Sequence, residues 1–305
     1  MSVVAREYGL SVSSSEYLPV GYGAYHWKVV SADGTRYFLT VDDLRTKSWF
    51  GPSADDTFVG LSNAYSVARD LVRQGLPFVV AARETNTGAV LCRLSDSYAL
   101  SLTEFLDGVS PGFGATVPPE QNAQLQRVLA RLHSTTAPLG IRVEDPHDVV
   151  TEVRDGLAGV DVDEVGPYAA PLRDWFADKG TELHQAMTRL AALANACTPA
   201  EFVVTHGEPH WGNIMVTNDG LRLVDWDTVG LARPERDLWH ISGDPRELDE
   251  YEELAAPVQR DGLEFHALAW TLRDVVAFVR QLATARDTDA ETAQAWDILT
   301  GLTLA

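Results

Sequence analysis

Val203-Val204-Thr205 runs into His206-Gly207-Glu208-Pro209-His210-Trp211-Gly212-Asn213, and twelve residues after Asn213 comes Asp225, in Leu221-Arg222-Leu223-Val224-Asp225-Trp226-Asp227. The order is an apolar strand, a tight turn carrying a carboxylate, an amide five residues on, and a second apolar strand ending in two carboxylates. That set suits phosphoryl transfer. The reaction must set a hydroxyl against a γ-phosphate and hold magnesium on the phosphate oxygens, which one carboxylate plus an Asn and an Asp can do. Glu208 is the candidate for orienting and deprotonating the hydroxyl. Asn213 and Asp225 are candidate metal ligands, and Asp227 either a further ligand or a tie for the turn that follows. His206, Glu208 and His210 alternate in a way that raises zinc. A zinc protease helix needs His-Glu-x-x-His, and a zinc deaminase adds Pro-Cys-x-x-Cys after His-x-Glu. Neither is present, and Gly207 and Pro209 exclude a helix there.

Elements able to hold these groups are legible on both sides. Residues 18–30 suggest two strands about a glycine turn, Asp33-Gly34 is a hairpin signal before a strand over 36–41, and residues 57–74 have helical spacing. Segments 78–81, 89–94 and 98–102 read as strands completing an antiparallel sheet. In Gly21-Tyr22-Gly23-Ala24 the glycines would let backbone amides approach phosphate oxygens closely. Residues 104–119 are rich in Pro and Gly and read as a connector. Beyond it, Leu125, Val128, Leu129 and Leu132, and then Leu183, Met187, Leu190 and Leu193, recur at helical spacing.

The eight-residue run, the Asp225 strand end and the segment Gly230-Leu231-Ala232-Arg233-Pro234-Glu235-Arg236-Asp237-Leu238 together resemble the aminoglycoside phosphotransferase and choline kinase group, a branch of the protein-kinase-like fold. The group's loop reads H-G-D-x-H-x-G-N, and the match is full except that Glu208 stands where Asp is usual. The resemblance implies an α+β, two-lobed fold. A small antiparallel β-sheet lobe for the nucleotide would occupy residues 1–103, a hinge 104–119, and a larger, mainly α-helical catalytic lobe 120–305. It also implies ATP and Mg2+ as cofactors, with Gly21, Tyr22, Gly23, Ala24 and Tyr25 over the phosphates and adenine at backbone groups near Glu104 and Leu106. His206 would brace the loop, and His210 would do likewise or lie near the phosphate. Asp237 is expected to cap a helix from Leu238.

Two departures stand out. The group's third strand carries a Lys paired with a Glu of the next helix, but Thr40 occupies that place and residues 57–74 contain no Glu, so this ion pair is expected to be absent. Either the fold binds nucleotide without catalysis or another cation fills the space, and Lys28, with His26 two residues earlier on the same strand face, is the first candidate, its other reading being an exposed strand residue. Glu208 also extends its carboxylate by one methylene, in a turn stiffened by Pro209.

A formal charge of −20 disfavours a nucleic-acid partner, which would need clustered Lys and Arg. Acidic stretches at 144–163 and 244–253 would steer a cationic small substrate, or simply form a solvated face. The chain of 305 residues with 45% hydrophobic content can bury cores in two lobes. Its most apolar late segment, 265–282, is interrupted by Arg273, Asp274 and Arg280, so no membrane partner is expected. Arg6 and Glu7 rule out an early apolar signal core, and Cys92 and Cys197 have no partners at metal spacing. A cytoplasmic setting follows. The expected activity is ATP-dependent O-phosphorylation of a small hydroxylated acceptor, cationic or neutral, with an antibiotic of aminoglycoside-like or other sugar-bearing type favoured. A metabolic kinase for an amino alcohol or sugar, and an inactive nucleotide-binding pseudokinase, are the alternatives. Acceptor identity, ATP versus GTP and oligomeric state stay open at this level.

Overall fold

The computed structural model describes residues 2–21, 23–160, 166–197, 202–242 and 244–304. In chain order it runs α1 (Ser2–Tyr8), β1 (Val12–Leu18), β2 (Ala24–Ser31), β3 (Arg36–Asp43), α2 (Ala54–Arg73), β4 (Cys92–Arg93), β5 (Tyr98–Glu104), β6 (Gly108–Val109) and α3 (Pro119–His133). Then follow α4 (Pro146–Ala158), α5 (Ala169–Ala196), β7 (Val203–Thr205), β8 (Ile214–Thr217), β9 (Gly220–Leu223), β10 (Gly230–Ala232), α6 (Glu235–Leu238), α7 (Asp249–Leu254), α8 (Arg260–Thr284) and α9 (Ala290–Gly301). By packing, the chain divides into two compact units, Met1–Val143 with Val203–Leu231, and Glu144–Phe202 with Ala232–Ala305.

In the first unit an antiparallel sheet has the order β1-β2-β3-β5-β4. Alternation along β3 sends Tyr37 and Leu39 into a core with Val4, Tyr8, Val29, Leu100 and Leu102. A second core, Leu44, Leu61, Leu91 and Ala99, joins the sheet to α2. That helix starts at a capping box, Ser53 with Asp56, and turns Leu61, Ala64, Val67, Ala68 and Leu71 inward. Its neighbour loop is packed closely: a Cβ on Gly60 would sit 2.2 Å from Cδ1 of Phe50, so only glycine lets the loop lie on the helix here. The same unit holds a three-stranded sheet, β6-β8-β9, and the pair β10-β7. The second unit packs α4, α5, α8 and α9 around Leu172, Leu190, Phe265, Leu272, Val275, Val279 and Leu299. No helix among the described residues is long and apolar enough to cross a membrane.

A small antiparallel sheet with a mainly helical remainder is the α+β arrangement expected. Several details differ. Residues 78–81 do not join the first sheet. Phe78 O accepts from Leu223 N at 2.7 Å and Val80 N donates to Leu223 O at 3.0 Å, so the segment bridges to β9. An apolar run does not say which edge it will pair with. The first strand begins at Val12, not near residue 18, and α1 precedes it. Asp237 lies fully buried within α6, whose N-cap is Pro234, so it caps no helix from Leu238. Within the acidic stretch 144–163, Glu144 is buried and accepts from Arg236 Nε at 2.9 Å and Arg273 Nη2 at 3.1 Å, so it adds nothing to a solvated acidic face. Residues 161–163 of that stretch lie outside the described residues.

Candidate active site

The loop between β7 and β8 owes its path to its first two residues. Gly207 takes φ +100°, a left-handed conformation that side chains resist. His206 is wholly buried. Its Nε2 donates to Val224 O at 2.9 Å and its Nδ1 accepts from Glu208 N at 3.3 Å, which requires the neutral tautomer protonated on Nε2. The ring lies against Trp226 with centroids 4.5 Å apart, and Thr228 Oγ1 donates to His206 O at 3.1 Å. One imidazole thus ties the turn, the end of β9 and the residue after it together.

Asn213 makes the second tie. Its Nδ2 donates to Glu208 O at 3.0 Å, and its own carbonyl accepts from Val224 N at 3.0 Å. Glu208, Asn213 and the residue preceding Asp225 are therefore joined by a short chain of hydrogen bonds. With Nδ2 so engaged, Oδ1 is the amide atom available to a cation. His210 Nε2 lies 3.4 Å from Asn213 Nδ2, and its ring meets the edge of Phe113. Burial, and then the nearby His206, hold His210 down at about 4, so it is uncharged near neutrality. Ser110 Oγ donates to Trp211 O at 2.9 Å, anchoring the connector to this loop.

Asp225 is the one non-glycine residue with positive φ, +64°, among the described residues. Strained backbone of this kind persists only where its surroundings over-determine it. Asp225 keeps an open face to solvent, and the Asp227 carboxylate beside it raises its proton affinity. Asp227 itself is buried and receives a charge-assisted bond from Lys47, whose Nζ lies 2.6 Å from Asp227 Oδ2 and 3.4 Å from Asp42 Oδ1. Tyr65 OH, from α2, donates to Asp42 Oδ2 at 3.3 Å. Burial opposes charge on Lys47, but the carboxylates of Asp227, Asp42 and Asp225 outweigh it and hold the ammonium charged. Burial raises Asp42 in turn, and Lys47 opposes it.

The Lys–Glu pair expected to be absent is a strand-to-helix pair at Thr40; the buried ion pair here is a different one, of Lys47 with Asp227 and Asp42. Thr40 has its hydroxyl 3.2 Å from His26 Nδ1. Burial, and then Lys47, lower His26 to about 4, so stacked on Phe38 it contributes no cation. Lys28 sits over the Phe105 ring at 5.2 Å, at the connector. Sequence reasoning missed Lys47, Asp42 and Tyr65. One signal was available: the chain has only three lysines, Lys28, Lys47 and Lys179, and Lys47 lies four residues beyond the end of the third strand.

Of the other sequence candidates, Gly21 and Gly23 form the β1–β2 turn with φ +74° and +76°, while Tyr22 lies outside the described residues. Ala24, Tyr25, His26 and Lys28 are on β2, and Tyr25 is exposed, edge-on to Tyr98. Glu104 ends β5 exposed and ion-paired with Arg222 of β9, and Leu106 is half-buried just beyond it. No group of three or more His, Cys, Asp and Glu side chains is gathered for a metal among the described residues. The available oxygens are those of Asn213, Asp225 and Asp227. That suits magnesium, which commonly uses one or two carboxylates and takes its remaining oxygens from phosphates and water. A cleft of about 330 Å³ adjoins Asp227, lined among others by Trp49, Phe50, Asn63 and Arg142.

Comparison with known proteins places this geometry. A profile described as the phosphotransferase enzyme family matches residues 16–270, a span that includes every candidate above. No curated protein sequence matches the chain. Among solved structures, spectinomycin phosphotransferase APH(9)-Ia in complex with ADP and spectinomycin is similar at 19% identity and TM-score 0.75, covering 98% of this chain and 92% of that one. A choline kinase, LicA from Streptococcus pneumoniae, gives 13% identity and TM-score 0.61 over 98% and 95% of the two chains. An amicoumacin kinase, hAmiN, in complex with AMP-PNP, Ca2+ and Ami gives 14% and 0.60 over 98% and 89%. At these identities the likeness is one of fold, the protein-kinase-like fold. It is the profile, running through most of the sequence and across the loop built on His206 and Asn213, that makes this chain a member of the phosphotransferase enzyme family.

Proposed function

We propose that the protein transfers the γ-phosphoryl group of ATP to a hydroxyl of a small molecule, with an amine-bearing or sugar-bearing antibiotic as acceptor, in resistance or self-protection. The observation that supports this reading is the hydrogen-bond chain from Asn213 Nδ2 to Glu208 O and from Val224 N to Asn213 O, which ties the backbone of Glu208 to Asn213 and Asn213 to the residue before Asp225. Glu208 orients the acceptor hydroxyl. As the hydroxyl oxygen bonds to the γ-phosphorus and the bond to the β–γ bridging oxygen breaks, Glu208 takes the proton, late in a loose transition state. Asn213, Asp225 and Asp227 would hold Mg2+, which when bound neutralises charge on the triphosphate oxygens. His206, neutral and anchored at both ring nitrogens, fixes the turn that presents Glu208. Gly21 and Gly23 would lie over the phosphates, and the backbone near Glu104 and Leu106 would take adenine.

The acceptor class is supported by the kinds of molecule in the similar structures, spectinomycin and amicoumacin, and by the −20 formal charge, which favours a cationic acceptor. The test is a mass-spectrometric screen of hydroxylated antibiotics, amino alcohols and sugars with ATP and Mg2+. A product heavier by one phosphoryl group from an antibiotic, lost in Asp225→Asn, is the expected result. Phosphorylation of amino alcohols or sugars alone would replace the antibiotic reading. No product from any acceptor, despite ATP binding, would leave a nucleotide-binding protein without transferase activity.

A further inference from the structure

Lys47 is the one lysine in contact with the candidate metal-site carboxylates, and it is buried. Its Nζ is held at 2.6 Å by Asp227 Oδ2 and at 3.4 Å from Asp42 Oδ1, and Asp42 is held in turn by Tyr65. Its backbone is fixed as well: Lys47 O accepts from Thr57 Oγ1 of α2 at 3.4 Å, and the Trp49 ring lies 5.4 Å from Nζ. An ammonium so placed, 7% exposed, directs its shortest contact at the Asp227 carboxylate.

We propose that Lys47 is a positioning residue for the metal site: it grips Asp227 by one carboxylate oxygen so that the other is presented to the divalent cation of the bound nucleotide, a task expected of no residue at Thr40, Lys28 or His26. The inference rests on the phosphotransferase reading above, because it assumes a metal–nucleotide complex at Asn213, Asp225 and Asp227. Lys47 acts through Asp227, so losing both side chains should do no more harm than losing the more important one. An independent contact to phosphate would instead make the losses multiply.

The experiment measures the affinity of Mn2+ for the AMP-PNP complex, by electron paramagnetic resonance, in the wild type, Lys47→Met, Asp227→Asn, the double variant, Asp225→Asn and Lys28→Met. Expected are losses of at least tenfold in Lys47→Met and in Asp227→Asn, with the double variant no weaker than the worse single one. Wild-type affinity in Lys47→Met, multiplicative losses in the double variant, or the loss appearing in Lys28→Met instead, overturns the proposal. Should Lys47→Met fail to fold, Lys47→Arg keeps the charge but displaces it, and wild-type Mn2+ affinity there overturns the proposal equally. A loss in Asp225→Asn with none in Lys47→Met defeats this inference alone. If the wild type binds no AMP-PNP, the underlying reading fails and this inference with it.

Discussion

Replacing Asn213 by Asp separates two tasks carried by one side chain. The native amide donates through Nδ2 to Glu208 O at 3.0 Å, which leaves Oδ1 for a cation. Aspartate keeps an oxygen for the cation but has no N–H, and it sets a carboxylate against a carbonyl. Loss of the bond costs about 1 kcal/mol, and a half-buried carbonyl left without a donor about 1–3 kcal/mol. Glu208 is also held through its backbone N, which donates to His206 Nδ1 at 3.3 Å, so the Asn213 bond is the shorter of these two restraints. A shift of about 1 Å at a reacting group can reduce the rate about 10²-fold. Asn213→Asp is therefore predicted to lower kcat about 10²-fold with little change in KM for ATP, and to lower stability by about 1–2 kcal/mol. Steady-state kinetics on the acceptor found by screening, beside urea unfolding, measures both. Wild-type kcat in this variant would refute the idea that the Asn213–Glu208 bond positions the base.

Three other substitutions probe separate parts of the structure. His206→Ala should destabilise by about 3 kcal/mol in urea unfolding, since it empties a buried site and leaves Val224 O without its donor; a change under about 1 kcal/mol would contradict the bracing role. Gly60→Val should destabilise by about 2 kcal/mol or more, because its Cβ would meet Phe50 Cδ1 at 2.2 Å and Phe50 Cβ at 2.9 Å. Burial raises Asp274 from 3.8 to about 6, with a bond from Trp270 opposing. The folded state therefore takes up this proton first, and stability falls as pH rises from about 4 to about 6, by roughly 3 kcal/mol for a shift of about two units. Asp274→Asn should remove that slope and exceed the wild type in stability at pH 7, but not at pH 4, in urea titrations at each pH.

The loop from His206 to Asn213 was legible because its chemistry is contiguous. A glycine at a left-handed position, a proline after the carboxylate and an amide five residues on leave few structures open. Asp225 was legible for a similar reason, standing at the end of an apolar strand. Lys47 was not, because its position depends on the loop beyond β3 folding back onto α2, a consequence of the Phe50–Gly60 contact that no periodicity encodes. Residues 78–81 read as a strand of the first sheet, but only Val79 forms a bridge, and its partner Leu223 in β9 lies more than a hundred residues away in sequence. The short helix α1 carries no strong pattern in seven residues, and Asp237 was misplaced because a buried carboxylate inside a short helix looks, in sequence, like a cap.

The central claim is that Glu208 acts on the acceptor hydroxyl beside a metal–nucleotide complex held by Asn213 and Asp225. It is tested most directly by single-turnover transfer of the γ-phosphoryl group from labelled ATP in Glu208→Ala, with ATP affinity measured on the same protein. The account predicts ATP affinity within about twofold of the wild type and a transfer rate lower by about 10²–10⁴-fold, the range for loss of a general base. Transfer at the wild-type rate would contradict it.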